Sequence, residues 1–250
     1  MISAMIDEVF ASVQGEGPWV GQRHIFVRFI GCDLDCAYCD TPHVVKSDPG
    51  TEIVNCRAQV SPGSFERESV PNPLTSERLN GLCARLCVPG LSRPVLSITG
   101  GEPLLHVTFL QDWLPSARKT FRIYLETSGV RHNEMRSVTG LVDVVSMDIK
   151  LPSATGQRAY WDEHRKFLAA TKGSERFVKS VVSGSTLPEE ILMAARLVAE
   201  QDRTVPFIIQ PASGPLMPRV ESLILFQDIA LEILEDVRVI PQVHKILQLP

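Results

Sequence analysis

Seven short apolar runs, each closed by turn residues, constrain this chain more than any other feature: "HIFVRFIG", "PVLSITGG", "FRIYLETSG", "VDVVSMDIK", "RFVKSVVSG", "VPFIIQPASG" and "VRVIPQVH". They are rich in β-branched residues and several are continuously apolar, as strands covered on both faces of a parallel sheet must be. Between many of them lie stretches with helical spacing. "LPEEILMAARLVAEQD" sets Ile191, Ala194, Ala195 and Val198 on one stripe, with Pro188 and two glutamates in its first turn. "VESLILFQDIALEIL" repeats the pattern. Strand alternating with helix predicts βα units. Six or seven of them fall short of a closed eight-stranded barrel, so the expected fold is α/β, an incomplete (β/α)6-type, TIM-like barrel. Glycines follow the strands, and ligands in such folds bind at the carboxyl ends of the strands.

One segment breaks the rhythm. Residues 44–90 carry several prolines and no clear period until a helix with Leu79, Leu82, Cys83 and Leu86 on one stripe. This reads as an insertion or lid within a single domain spanning residues 1–250. Cys56, Cys83 and Cys87 allow a second metal site, although a core Cys83 with two incidental thiols is the simpler reading. A formal net charge of −4 and a pI near 5.9 argue against a nucleic-acid surface. No apolar run is long enough for a membrane helix, and the start lacks the basic and apolar regions of a signal peptide. Six cysteines without such a signal point to a reducing, cytoplasmic setting.

Three of those cysteines lie together in "GCDLDCAYCDTPH", residues 31–43, delivered by the run "HIFVRFI". The spacing admits a closed zinc site of Cys32, Cys36, Cys39 and His43. It also admits an iron–sulfur cluster held by the three cysteines alone, with one iron left open, and spacing alone favours the cluster. Elsewhere, Arg28 sits within an apolar strand, where a guanidinium needs an anionic partner, either a protein carboxylate or a substrate's. Gln14 and Glu16 lie between glycines in "QGEG"; a carboxylate beside an amide can read a paired donor edge.

C-x3-C-x2-C with Tyr38 before the last cysteine resembles the signature of the radical S-adenosylmethionine (SAM) superfamily, and "SITGGEPLL" resembles its GGE(P) motif. The resemblance implies a [4Fe–4S] cluster on Cys32, Cys36 and Cys39, with SAM bound beside it by Tyr38, Gly100, Gly101 and Glu102. The flanks go further. "EVFASVQGEGPWVGQRHIFVRFIGCDLDCAYCDT", "TGGEPLL", "YLETSG", "VVSMDIK", "IIQPASG" and "IPQVHKILQLP" resemble the 7-carboxy-7-deazaguanine synthases of queuosine and 7-deazapurine biosynthesis. That family implies a lyase in which a 5′-deoxyadenosyl radical takes hydrogen from C6 of 6-carboxy-5,6,7,8-tetrahydropterin, and the ring contracts with loss of ammonia. It implies further SAM contacts from Ser128, Ser146, Lys150 and Gln210. Ser128 stands where many relatives have asparagine, so it loses reach. Gln14, Glu16, Arg28, Thr99, His244 (from the last strand) and the terminal Pro250 are implied to meet the substrate. Mg²⁺ is expected at Thr41, with Asp40 a second candidate. A flavodoxin or ferredoxin donor and a homodimer are also implied. A glycyl-radical-enzyme activase and a non-catalytic zinc-binding interaction protein are the alternatives from other classes.

Overall fold

The computed structural model describes residues 2–41 and 55–249. All seven apolar runs are strands, and they lie side by side, parallel, in chain order: β3 (Arg23–Phe29), β7 (Val95–Gly100), β8 (Arg122–Thr127), β9 (Val144–Asp148), β10 (Glu175–Val182), β11 (Phe207–Pro211) and β12 (Val237–Val239). Adding each new strand to the same side curls a sheet toward a barrel. This one stays open: β12 ends one edge, and the other is extended beyond β3 by β2 (Ile6–Val13), β4 (Cys56–Gln59) and β5 (Arg67–Val70).

That extension corrects one expectation. The described part of the 44–90 segment is not a lid: β4 runs parallel to β2, β5 returns antiparallel, and none of residues 55–90 lines the main cavity described below. Residues 44–54 lie outside the described residues. A short pair, β1 (Ser3–Ala4) with β6 (Leu74–Thr75), leads into helix α1 (Ser76–Ala84), capped by the Thr75 hydroxyl, which accepts from the Arg78 N–H at 3.3 Å. Leu79, Leu82 and Cys83 are buried by α1, and Leu86 just after it. Cys56 and Cys83 are core residues, and burial pushes the Cys56 thiol up to about 12.

Helices α2 (Val107–Ala117), α3 (His132–Val138), α4 (Pro152–Thr155), α5 (Trp161–Ala170), α6 (Pro188–Ala199) and α7 (Val220–Leu231) connect successive parallel strands. The longer ones bury one stripe each on the convex face, as with Phe109, Leu110, Trp113 and Leu114 of α2 or Ile191, Ala194, Ala195 and Val198 of α6. Each large side chain so buried contributes on the order of 1.5–3 kcal/mol before conformational entropy is counted. The concave face holds a smaller core at the amino-terminal end of the strands: Trp19, Tyr124, Val144, Phe177 and Ile208. It plugs the half-barrel below and leaves the carboxyl end open.

Candidate active site in the mouth of the half-barrel

Side chains alternate along a strand with period two. In the observed register Arg28 lies beside Thr99, Asp148 beside Lys179, and Val181 beside Gln210. These residues, with Glu126, face a cavity of about 460 Å³ at the carboxyl end of the sheet, a size suited to small-molecule ligands. Cys32, Cys36 and Cys39 line it from the loop after β3, with Tyr38, Asp40 and Thr41. Among the described residues no three cysteine, histidine or carboxylate groups converge on a single ion. Three thiols facing one cavity without converging fit the separate corners of a larger inorganic core, so the residues present suit an iron–sulfur cluster. His43, the fourth ligand of the zinc alternative, lies outside the described residues. Burial pushes the Cys32 thiol up to about 11 and raises Cys36 as well, so metal charge must favour the thiolates on binding.

The loop is seated by close backbone approach. A Cβ on Gly101 would stand 2.1 Å from the Gly31 carbonyl oxygen, and one on Gly100, at φ +131°, would stand 2.3 Å from that of Phe29. Only glycines let the "TGGEP" turn dock here, with the Glu102 N–H donating to Gly31 O at 2.8 Å. Gly100 and Gly101 line the cavity; Glu102 does not. Expected to meet a ligand ammonium, its fully buried carboxylate instead accepts from the Ser128 N–H at 2.8 Å and hydroxyl at 2.6 Å, from the Thr127 hydroxyl at 3.0 Å and from the Leu104 N–H at 3.0 Å. Burial raises its pKa despite those donors. Glu102 therefore fixes the end of β8, and Ser128 faces the cavity in its place.

Ser146 is also set back. It faces the same side of β9 as Asp148 but lies deeper, buried and off the cavity wall; Asp148 reaches the opening. The Lys150 ammonium donates to Asp148 Oδ2 at 3.0 Å and to the Tyr38 hydroxyl at 3.2 Å. Asp148 Oδ1 and Gln210 Oε1 are buried acceptors without a partner on this wall. Orphaned acceptors of this kind suit hydroxyl or ammonium donors such as those of SAM.

The floor is a charged network that the sequence reading found only in part. Glu16 pairs with Lys179 and accepts from the Gln242 amide at 2.8 Å. Burial alone would raise its carboxyl, but the Lys179 ammonium outweighs that and holds it at about 2. Lys179 in turn is held above its usual range against the burial that opposes it, chiefly by Glu16. Glu126 accepts from the Gln14 amide at 2.9 Å and the Thr99 hydroxyl at 2.8 Å. Lys179 and Glu126 carried the same signal as Arg28, a charge inside an apolar strand. Arg28 itself meets no carboxylate among the described residues; its guanidinium lies 5.8 Å from the ring centroid of Phe10, which stacks on Phe26 at 5.0 Å. Of the two partners expected for it, the protein carboxylate is thus absent there.

The carboxyl-terminal segment closes one side. His244 does not come from the last strand: β12 ends at Val239, and His244 sits on a terminal helical turn, α8 (Val243–Ile246). This turn docks on "QGEG" through Val243 N–H donating to Gly15 O at 2.9 Å, where a Cβ on Gly15 would stand 2.2 Å from His244 Nδ1. Asp40, a candidate metal ligand, accepts from Lys245 at 2.9 Å and from the Gln242 amide at 3.2 Å. These bonds tie the cysteine loop to α8. Thr41 lines the cavity 4.0 Å from Cys39 Sγ. Pro250 lies outside the described residues, and Leu249 before it lines the cavity.

Comparison with known proteins agrees with this fold. The Radical SAM superfamily profile matches residues 26–209. A 7-carboxy-7-deazaguanine synthase of Geobacter sulfurreducens is 39% identical over 98% of this chain and 97% of its own length. One from Archaeoglobus fulgidus is 31% identical over 98% of each. Among solved structures, QueE from Escherichia coli superposes with a TM-score of 0.62 at 22% identity, covering 98% of this chain and 96% of that one.

Proposed function

Because this chain belongs to the radical SAM superfamily and, within it, to the 7-carboxy-7-deazaguanine synthases, we propose that it converts 6-carboxy-5,6,7,8-tetrahydropterin to 7-carboxy-7-deazaguanine with loss of ammonia. The observation that carries the substrate assignment is Arg28, which meets no carboxylate among the described residues, in a cavity whose floor is Glu16, Gln14 and Glu126. A guanidinium without a protein carboxylate suits the substrate's own carboxylate, and acceptors on the floor suit the N–H edge of an aminopyrimidine. Phe10 and Phe26 offer an apolar wall to a flat ring.

Cys32, Cys36 and Cys39 would hold the cluster, and Tyr38, Gly100, Gly101, Ser128, Lys150 and Gln210, which line the same cavity, would contact SAM. When bound, these cofactors would supply the radical chemistry that removes hydrogen from C6 of the pterin. The chain's own work is placement: the floor fixes the pyrimidine, Arg28 fixes the carboxylate, and α8 with His244 limits water. Thr41 offers a hydroxyl for Mg²⁺; Asp40, held by Lys245, serves to orient the loop.

A flavodoxin or ferredoxin would deliver the electron in the cytoplasm. No helix among the described residues is long and apolar enough to cross a membrane. A homodimer would use α7, which exposes Val220, Ile224 and Leu225 together. Family membership sets aside the zinc-protein and activase readings.

The test is anaerobic. Reconstituted protein with SAM, a reductant, Mg²⁺ and 6-carboxytetrahydropterin should yield 7-carboxy-7-deazaguanine by mass spectrometry, dependent on SAM. Cleavage of SAM to 5′-deoxyadenosine without that product would overturn the substrate assignment.

A further inference from the structure

The ladder between β8 and β9 ends with Thr127 beside Met147. Past that pair the chain of β8 runs on to Ser128 and that of β9 to Lys150, and both residues line the main cavity. The two ends are joined by His164, a fully buried residue of α5. Its Nε2 lies 3.0 Å from the Lys150 backbone nitrogen and its Nδ1 lies 3.0 Å from the Gly129 carbonyl oxygen. A backbone N–H only donates and a carbonyl only accepts, so the ring carries its single proton on Nδ1. Nε2 accepts from Lys150, and Nδ1 donates to Gly129. Burial holds the imidazole neutral, down at about 4; the Lys150 ammonium works in the same direction, and Asp148 and Glu163 oppose it. The glycine is fitted to the ring: at φ +69°, a Cβ on Gly129 would stand 2.6 Å from Met147 Cε and 3.3 Å from His164 Nδ1.

A histidine that only filled the core would need no more than some partner for each nitrogen. This one bonds backbone on both sides of a gap between strand ends, next to a cavity-lining side chain on each. On one side the Lys150 ammonium goes on to Asp148 and Tyr38. The turn of α4 that follows Lys150 holds the cysteine loop, with Ala37 N–H donating to Thr155 O at 3.0 Å. On the other side Ser128 is bonded to Glu102. We propose that His164 is a positioning residue for SAM: by bridging Gly129 and Lys150 it sets the spacing between the Ser128 and Lys150 contacts. The role rests on this wall being the SAM site, and it falls to a residue that does not itself line the cavity.

Equilibrium dialysis of SAM against anaerobically reconstituted protein tests this, beside thermal melts of the same samples. His164→Phe fills the space but strands the Lys150 N–H and the Gly129 carbonyl, so SAM should bind about tenfold or more weakly. His164→Gln can offer a donor and an acceptor to the same two groups, so its affinity should stay within about threefold of the parent's, whatever its melting temperature. SAM bound by His164→Phe as tightly as by the parent, or affinity lost equally in both variants, would overturn the role and leave the SAM site standing. A parent that binds no SAM would overturn the site as well. Two-bond proton–nitrogen NMR spectra of the full chain at about pH 5.5, where an ordinary histidine is mostly protonated, should show His164 neutral with its proton on Nδ1. A cationic ring, or a proton on Nε2, would overturn the bridge itself. Where His164→Phe does not fold, His164→Gln and the ring spectrum decide alone. None of these readouts depends on turnover, so they stand apart from the assay of the proposed reaction.

Discussion

Replacing Lys179 by methionine would remove the cation that keeps Glu16 ionised beneath the cavity. Both side chains are largely buried, at 11% and 14% exposure, so solvent screens the pair weakly. Folding lowers the Glu16 carboxyl from an ordinary 4.5 to about 2, a depression of roughly 3 kcal/mol in favour of the ionised folded protein at neutral pH. A depressed acid stabilises fully above its unfolded pKa, and this contribution disappears as pH falls from about 4.5 toward 2. In Lys179→Met the burial that already opposes ionisation is unopposed by the ammonium, so Glu16 titrates above its ordinary value. Breaking one side of a buried pair costs about 3–5 kcal/mol. Urea unfolding of both proteins at several pH values checks this: the stability difference should be about 3–5 kcal/mol at pH 7. It should begin to shrink above pH 4.5, where Glu16 of the variant takes up its proton, and should go on shrinking toward pH 2 as that of the parent does. Adding Glu16→Gln to the variant should recover part of the loss. A difference of the same size at every pH would refute the electrostatic reasoning and make lost packing the cause.

Four further outcomes are expected. Arg28→Gln should weaken binding of the carboxylated pterin about tenfold or more while slow, substrate-free SAM cleavage persists; unchanged pterin affinity would remove the cation from the substrate site. Gly15→Ala should displace His244, because the new methyl stands 2.2 Å from its ring; KM should rise with little change in melting temperature, whereas an unaltered KM would show that α8 can shift freely. Glu102→Leu strands the donors of Ser128 and Thr127, so a loss of about 1–3 kcal/mol and of SAM affinity is expected by denaturation and equilibrium binding, and retained SAM affinity would deny it the positioning role. Thr41→Ala should blunt the response of the rate to added Mg²⁺; an identical Mg²⁺ titration would move the metal elsewhere.

The sequence by itself determined the parallel strands, their order of appearance and the cluster loop, because β-branched, often continuously apolar runs and cysteine spacing are local properties of the chain. The helix stripe at Leu79, Leu82 and Cys83 was legible for the same reason, whereas the role of its surroundings was not. Residues 56–70 lack an apolar period because they form an edge hairpin, whose outer strand takes its partners from only one side. Which polar groups face the cavity was decided by register. Ser146 and Asp148 share a face of β9, but only the relative stagger of neighbouring strands puts Asp148 at the opening and leaves Ser146 below it. Glu102 looked like a ligand-facing charge; tertiary packing places four donor groups around it first. The Glu16–Lys179 pair joins residues 163 positions apart, and the Gln242–Glu16 bond joins residues 226 apart. No local pattern encodes such partners, since a charge inside a strand declares only that it needs an opposite one. The half-barrel supplies it by curling one end of the chain onto the other.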